Sequence, residues 1–415
     1  MPYDTPRTGS TRPVDSGAAH PVDAGSPRPL DAGSTHPVDA GSPHPVDIGS
    51  THPVDVGSTH PVDVDGVRER VSAVLEEFLD RQAGTVHGVA PDCDPLLDVI
   101  RDLVRGGKRL RPAFCYWGWR AAGGADGPEI VRAAAALELF QAAALIHDDV
   151  MDGSDTRRGM PAVHRRFAAL HTASGWRGGS EGFGTAGAVL AGDLCLVWSG
   201  ELFHGCGLTP HALARAREPF DRMRTELMAG QYLDMLEQVV AGQPPDEQVE
   251  RARRVIRFKS AKYSVQEPLL IGAALAGAPT PVLDGFAELG LLLGEAFQLR
   301  DDILGVFGDP ELTGKPAGDD LREGKRTVLV ALARATADPA QTALLTRGVG
   351  DPELDAEGVA RLRDVIVATG ALTTVESLID DLAARTRTVL AGLDLAAGAD
   401  AVLDSLIEAS TARSS

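Results

Sequence analysis

Gln141-Ala-Ala-Ala-Leu-Ile-His147-Asp148-Asp149-Val-Met-Asp152-Gly-Ser-Asp-Thr-Arg157-Arg158-Gly159 is the stretch whose reading decides the fold. An apolar, Ala-rich run ends in three carboxylates, a Gly-Ser break and two arginines. On a helix, Asp148 and Asp152 stand on one face, one turn apart. Like charges so placed repel and weaken the helix unless a cation sits between them. Mg²⁺ suits oxygen ligands and is held by one or two carboxylates together with phosphate oxygens. Guanidinium forks match phosphate oxygens, so Arg157 and Arg158 suit the same ligand. The local reading is therefore a metal–diphosphate site at a helix end. The same residues also read as a solvated acidic helix terminus followed by a basic turn. A second carboxylate pair, Asp301-Asp302, after another apolar helix favours the metal site.

The chain of 415 residues carries a formal net charge of −19 and is 43% hydrophobic. A sizeable core is available. The charge argues against a general nucleic-acid binder and against a protein of anionic membrane surfaces. Four cysteines, Cys93, Cys115, Cys195 and Cys206, lack ligand-like spacing and read as buried thiols of a reducing compartment. There is no uninterrupted apolar run of membrane-spanning length and no signal-like N-terminus. The expectation is a soluble, cytoplasmic protein without stable membrane insertion.

Residues 1–65 form a separate unit. An octapeptide recurs, as in Ser34-Thr-His36-Pro-Val-Asp-Ala-Gly41 and Ser50-Thr-His52-Pro-Val-Asp-Val-Gly57. A Pro and a Gly in almost every unit exclude helix and central strand, so a disordered, extended tail is expected. His36, His44, His52 and His60 recur with the unit and could bind a transition metal weakly; a solvated repeat expanded by slippage in the gene is the preferred reading. The folded unit is expected over 66–415.

From Val67 apolar residues recur at helical spacing. Helices are expected over Val67–Arg81, from Pro95, through Phe114–Trp117, over Pro128–Ile146, Ala186–Cys206, Pro219–Val240, Val255–Ala276 and Leu283–Leu304, with a Gly- and Ser-rich surface loop over 171–186. Strand-like alternation is almost absent after residue 66. The fold class is all-α, a single large helical bundle with a central cavity.

Chemistry-bearing groups punctuate the helices. Gly106-Gly107-Lys108-Arg109-Leu110-Arg111-Pro112 sets three cations after a tight turn, with no acidic partner nearby in sequence, and reads as an anion clamp. Gly230-Gln231-Tyr-Leu-Asp234 and Lys259-Ser260-Ala-Lys262-Tyr263 place polar groups inside apolar frames. Gln298-Leu-Arg-Asp301-Asp302 is followed by Thr313-Gly314-Lys315 and Lys325-Arg326-Thr327.

Together, and in this order, these motifs resemble the trans-isoprenyl diphosphate synthases, the group of farnesyl and geranylgeranyl diphosphate synthases. The resemblance spans roughly residues 67 to 412. It implies Mg²⁺, three ions per site, held by Asp148 and Asp152 and by Asp301, with Asp149 and Asp302 in the same clusters. It implies that Arg157, Lys259 and Lys315 hold an allylic diphosphate (dimethylallyl, geranyl or farnesyl), with Lys325 beside them. Lys108, Arg111, Gln141 and Arg158 are similar to the site for isopentenyl diphosphate, and Ser260 and Gln298 to residues whose oxygens face the nascent allylic cation. It also implies a homodimer. One departure stands out: Gly305 occupies the fifth position of the second acidic motif, which often carries an aspartate there. The fifth-position ligand is thereby left open, although Asp301 alone can reach the metal.

The residue types suit that chemistry on their own terms. Breaking the carbon–oxygen bond of an allylic diphosphate leaves pyrophosphate and a delocalised cation. Lys, Arg and Mg²⁺ stabilise the leaving group as its charge develops, and an apolar helical cavity keeps the cation from water. Isopentenyl diphosphate then attacks head-to-tail and the released proton can go to the pyrophosphate, so no Ser-His-Asp or Cys-His set is needed. His147 is read as a structural residue rather than a base. Farnesyl and longer polyprenyl synthases, a class I terpene cyclase and an inactive regulatory subunit are the alternatives; a cyclase has no use for the clamp at Lys108–Arg111. If 141–152 is one helix, Ala144 lies about 6 Å below Asp148 and Phe140 about 12 Å below. The family members that stop at fifteen carbons often carry bulk four and five positions before the first aspartate, where this chain has Ala144 and Ala143. Phe140 is the candidate floor, and the expected product is geranylgeranyl diphosphate.

Overall fold

A computed structural model of the chain describes residues 66–240, 244–308 and 318–411. The octapeptide tail with its four histidines lies outside the described residues, so the expectation for 1–65 rests on the sequence.

The described chain is helical, as its apolar spacing requires. The first helices are α1 (Val67–Val89), α2 (Asp94–Arg105), α3 (Leu110–Ala121) and α4 (Pro128–Asp152). A pair of two-residue strands, β1 (Thr156–Arg157) and β2 (Met160–Pro161), pairs antiparallel directly after α4. Then follow α5 (Val163–Ala173), α6 (Ser180–His204), α7 (Pro210–Val239), α8 (Pro245–Val255), a π-helical segment Ile256–Gln266, α9 (Glu267–Ala276) and α10 (Thr280–Phe307). The C-terminal part contributes α11 (Asp319–Arg322), α12 (Val328–Thr336), α13 (Pro339–Gly348), α14 (Ala356–Ala368), α15 (Ala371–Ala391) and α16 (Ala399–Thr411).

The centre of the bundle is α4. Ala133 to Ala136, Leu139, Phe140, Ala142, Ala143 and Ile146 are all buried. Alanine is the best helix former and adds little girth, so neighbouring helices can come close on every side. Pro128 starts the helix, where its missing N–H costs nothing, and Gly153 stops it in the left-handed conformation at φ 67°. α3, α6 and α9 pack around α4. A second apolar cluster joins α10, α12, α14 and α15. Each fully buried Leu, Ile, Val or Phe in these clusters contributes roughly 1.5–3 kcal/mol of transfer free energy. Cys115, Cys195 and Cys206 are buried free thiols, as expected, while Cys93 is half-buried.

Two boundaries differ from the sequence reading. The stretch 171–186 is mostly helix: α5 runs to Ala173 and α6 begins at Ser180. Gly184, with Gly187 just beyond the stretch, is a packing surface, since a Cβ at Gly184 would collide with His164 and one at Gly187 with Phe167 of α5. Pro219 lies inside α7 rather than at its start. By length and composition α4 and α6 could each cross a bilayer, but α4 is the buried core helix and α6 lies along it.

Candidate functional site

One cavity of about 340 Å³ receives side chains from α4, α7, the π-helical segment, α10 and the segment 320–327. The acidic end of α4 and the acidic end of α10 both reach it, through Asp148 and through Asp301 and Asp302. The helix ends bring together carboxylates that lie about 150 residues apart in the chain.

Basic groups stand between those carboxylates. Gln231 Nε2 donates to Asp148 Oδ1 at 2.7 Å, and Lys259 Nζ donates to the same oxygen at 3.1 Å. Lys259 also bonds Asp234 Oδ2 at 2.6 Å. The backbone places this ammonium: the wide π-helical turn is a frequent functional-site feature, and Gly230 and Gly294 let α7 and α10 close on it. A Cβ at Gly230 would lie 2.5 Å from the Lys259 backbone nitrogen, and one at Gly294 2.5 Å from Ala261 Cα. On the opposite wall Lys325 Nζ is 2.7 Å from Glu323, 3.6 Å from Asp320 and 3.8 Å from Asp152.

Electrostatics follow. Burial pushes the Asp148 carboxyl up, but Lys259, Lys325 and Arg157 together hold it below the ordinary value. Asp152 goes the other way, raised to about 6 by burial and by the Asp148 charge against the pull of Lys325 and Lys259. Its side chain is 3% exposed, and its Oδ2 has no hydrogen-bond partner. Asp302 is raised well above the usual carboxylate range, chiefly by burial. Burial opposes the charge on Lys325, yet Asp320, Glu323, Asp152 and Asp148 raise it well above the ordinary value. A buried carboxylate oxygen without a hydrogen bond, 3.8 Å from Lys325 and close to the Asp148 charge, fits a further, hard cation.

The remaining predicted residues fall into two groups. Arg111, Gln141, Ala144, Arg157, Ser260 and Gln298 line the cavity. Arg111 lies 4.1 Å over the Tyr263 ring and donates to Ser264 Oγ at 2.6 Å. Gln298 Nε2 donates to Asp302 Oδ1 at 2.8 Å. Asp149, in contrast, is buried against Arg157, whose guanidinium donates to it twice. It orients the arginine and is not part of the cavity wall. Ala143 is also away from the wall, fully buried in the core, because five residues turn a helix about 140° beyond a whole turn. Phe140 is fully buried and meets Tyr263 edge-on at 5.7 Å, so Tyr263 forms the wall with Phe140 behind it. Lys315 lies outside the described residues.

The Gly-Gly turn is built with Arg158. That guanidinium donates to Leu103 O at 2.7 Å and to Gly106 O at 2.8 Å, and a Cβ on Gly107 would reach it at 2.9 Å. Lys108 is exposed on the same turn. An acidic partner does exist, contrary to the sequence reading: Glu138 of α4, buried, takes Arg109 at 2.7 Å and lies 3.9 Å from Arg158. It was invisible in sequence because it arrives from the neighbouring helix. Arg158 is held below its ordinary value first by burial, and further by Arg109, Arg111 and Arg157 against the single Glu138. Such crowding of guanidiniums suits a multiply charged anion.

His147 has its ring over Gly192, where a Cβ would collide with it, and its Nε2 is 3.3 Å from Val189 O. The ring thus packs against α6. Gln231 and Asp234 belong to a motif of the resemblance to which the sequence attaches no role; their contacts with Asp148 and Lys259 make them part of the site. Leu145 and Leu227 line the cavity with no local sequence signal, and Asp320, from the run Gly318-Asp319-Asp320 that follows the second acidic pair, joins them.

The fold and the cavity define a helical enzyme for diphosphate chemistry. The polyprenyl synthetase family model matches residues 94–366, and the chain belongs to that family. It is thereby a prenyltransferase. A geranylfarnesyl diphosphate synthase of Aeropyrum pernix is 32% identical over 289 residues, 69% of this chain and 83% of the relative. A geranylgeranyl diphosphate synthase of Saccharolobus solfataricus is 31% identical over 63% of this chain and 73% of its own length. Among solved structures, a geranylgeranyl pyrophosphate synthase from Corynebacterium glutamicum, complexed with isoprenyl diphosphate and magnesium, superposes with a TM-score of 0.81 at 41% identity, covering 85% of this chain and 99% of that one.

Proposed function

We propose that the chain condenses isopentenyl diphosphate head-to-tail with allylic diphosphates in the presence of Mg²⁺, and that its main product is geranylgeranyl diphosphate. The observation that carries this reading is the pairing of Asp148 with Asp301 and Asp302 across one cavity, with Lys259 and Lys325 lodged among their carboxylates. Asp148, Asp152 and Asp301 would hold the metal; bound there, it supplies positive charge to the departing diphosphate.

The chain's own groups do the rest. Lys259, Lys325 and Arg157 move from their carboxylate partners onto diphosphate oxygens and take up the charge that develops there. Arg158, Lys108, Arg111 and Gln141 hold the second diphosphate; the buried Gln141 Oε1 without a hydrogen-bond partner is a polar atom awaiting a ligand. Ser260 and Gln298 present oxygens to the allylic carbon, while Leu145, Leu227 and Tyr263 exclude water from it. The proton lost from isopentenyl carbon passes to pyrophosphate. A twenty-carbon product is favoured because Ala144, one turn below Asp148, leaves the wall open as far as Tyr263 and Phe140.

A homodimer is part of this proposal. Phe183, Leu190 and Val197, spaced by sevens on α6, are 38%, 55% and 66% exposed and form one apolar stripe. A second copy of the same helix would cover it.

The test is an assay of the purified protein with Mg²⁺, isopentenyl diphosphate and each allylic diphosphate in turn. A linear twenty-carbon diphosphate, lost on chelation, is the expected product. A fifteen-carbon or longer main product would overturn the length assignment. Cyclic hydrocarbon, or no turnover with any primer, would overturn the condensation itself.

A further inference from the structure

Gly305 removes the fifth-position carboxylate from the second acidic motif, and the structure shows what stands in its place. A Cβ on Gly305 would collide with Oδ2 of Asp320 and lie 2.5 Å from its Cγ. The Asp320 carboxylate therefore passes directly over the bare backbone of α10, one turn beyond Asp301. It is 13% exposed, lines the same cavity as Asp301 and Asp302, and turns Oδ1 toward Lys325 at 3.6 Å. The turn that carries it is fixed: Gly318 is left-handed at φ 74°, and the Lys325 N–H bonds the Asp320 carbonyl at 3.0 Å.

No residue with a side chain fits at position 305 while Asp320 stays where it is. A side chain at 305 requires the Asp320 carboxylate to swing aside, so the two positions compete for one space. We propose that Asp320 completes the second acidic cluster of this enzyme, serving toward the metal as the carboxylate that Gly305 cannot supply. Gly305 is the opening through which it enters. The proposal rests on the metal-assisted reading above and adds a ligand-side residue to it. Lys325, lodged between Asp320 and Asp152, marks where positive charge is accommodated between the two acidic clusters.

The test measures metal binding directly. Mn²⁺ is titrated into the full chain with inorganic pyrophosphate, and free Mn²⁺ is read by electron paramagnetic resonance. Asp320→Asn keeps the side-chain shape and should weaken Mn²⁺ binding about tenfold or more, the scale at which groups supporting a metal site act. Gly305→Ala should weaken it too, with Asp320 still present, because the added methyl displaces the carboxylate. Gly305→Asp should be harmful alone yet restore binding in the Asp320→Gly background. The proposal is overturned if Asp320→Asn binds Mn²⁺ like the unaltered chain, or if the Gly305→Asp/Asp320→Gly double variant binds no better than Asp320→Gly. If the unaltered chain itself binds no Mn²⁺ with pyrophosphate, the metal reading of the whole site fails, an outcome distinct from the other two.

Discussion

Lys259 on the π-helical segment reaches Asp148 at the end of α4, 3.1 Å from nitrogen to oxygen, and holds Asp234 of α7 on its other side at 2.6 Å. One ammonium thus ties three helical elements together at the site. Lys259→Met removes the charge while keeping much of the stem. Turnover should fall by about 10²–10³-fold, the cost of losing one preorganised charge-stabilising donor. Steady-state kinetics beside a thermal melt checks this; near-normal turnover in a folded variant would remove Lys259 from the mechanism.

Asp152 is expected to work against stability and for activity. Its buried Oδ2 lacks a hydrogen bond, and Asp148 stands one turn away on the same helix. Asp152→Asn should leave the chelator-treated protein at least as stable, by up to about 1–2 kcal/mol, since a buried carboxylate without a hydrogen bond on Oδ2, and repelled by Asp148, is replaced by a neutral isostere. It should also abolish most of the thermal stabilisation that Mg²⁺ with pyrophosphate gives, and lower turnover by orders of magnitude. Melting curves with and without the ions decide it: an unchanged shift would show that Asp152 is no ligand.

Chain length should respond to Ala144 and not to Ala143. Ala144→Phe puts a ring into the cavity and should shorten the main product. Phe140→Ala takes away the ring behind Tyr263 and should lengthen it, at about 3–5 kcal/mol of stability. Ala143→Phe enters the packed core instead; it should destabilise by about 1–3 kcal/mol without moving the product distribution. Product chromatography and melts on the three variants separate the cases. An unchanged product from both Ala144→Phe and Phe140→Ala would show that this face does not line the channel.

Introducing charge at Leu190→Glu together with Val197→Glu should halve the particle mass measured by light scattering. Both side chains are exposed on α6, so the monomer itself should keep its helical spectrum. A mass unaffected by the double substitution would mean that the apolar stripe is not the contact.

Deleting residues 1–60 should leave turnover and melting temperature nearly unchanged, because the octapeptide repeat has no core-forming pattern and ends before α1. A large loss of either would show that the repeat packs on the folded unit.

The all-α class followed from the sequence because helical spacing is a local property: each apolar residue on α1 or α4 announces its face to its own neighbours three and four positions away. The carboxylate clusters, the Gly-Gly turn and Lys259 were legible for the same reason, as short runs whose chemistry is complete within a few residues. Spacing alone also put Asp148 and Ala144 on one face. What the sequence could not determine depends on partners from distant parts of the chain. Glu138 neutralises Arg109 from the next helix, Asp149 turns inward onto Arg157, and Tyr263 intervenes before Phe140. Glycines were the most ambiguous symbols. Gly184 and Gly187 stand in a stretch of loop-like composition, yet they are the surface on which α5 rests. Gly305 looked like a missing ligand, and only the tertiary structure put the Asp320 carboxylate into the space it leaves. At Gly184 and Gly305 the missing side chain lets another atom come close; which atom comes close is decided by the packing of the whole chain.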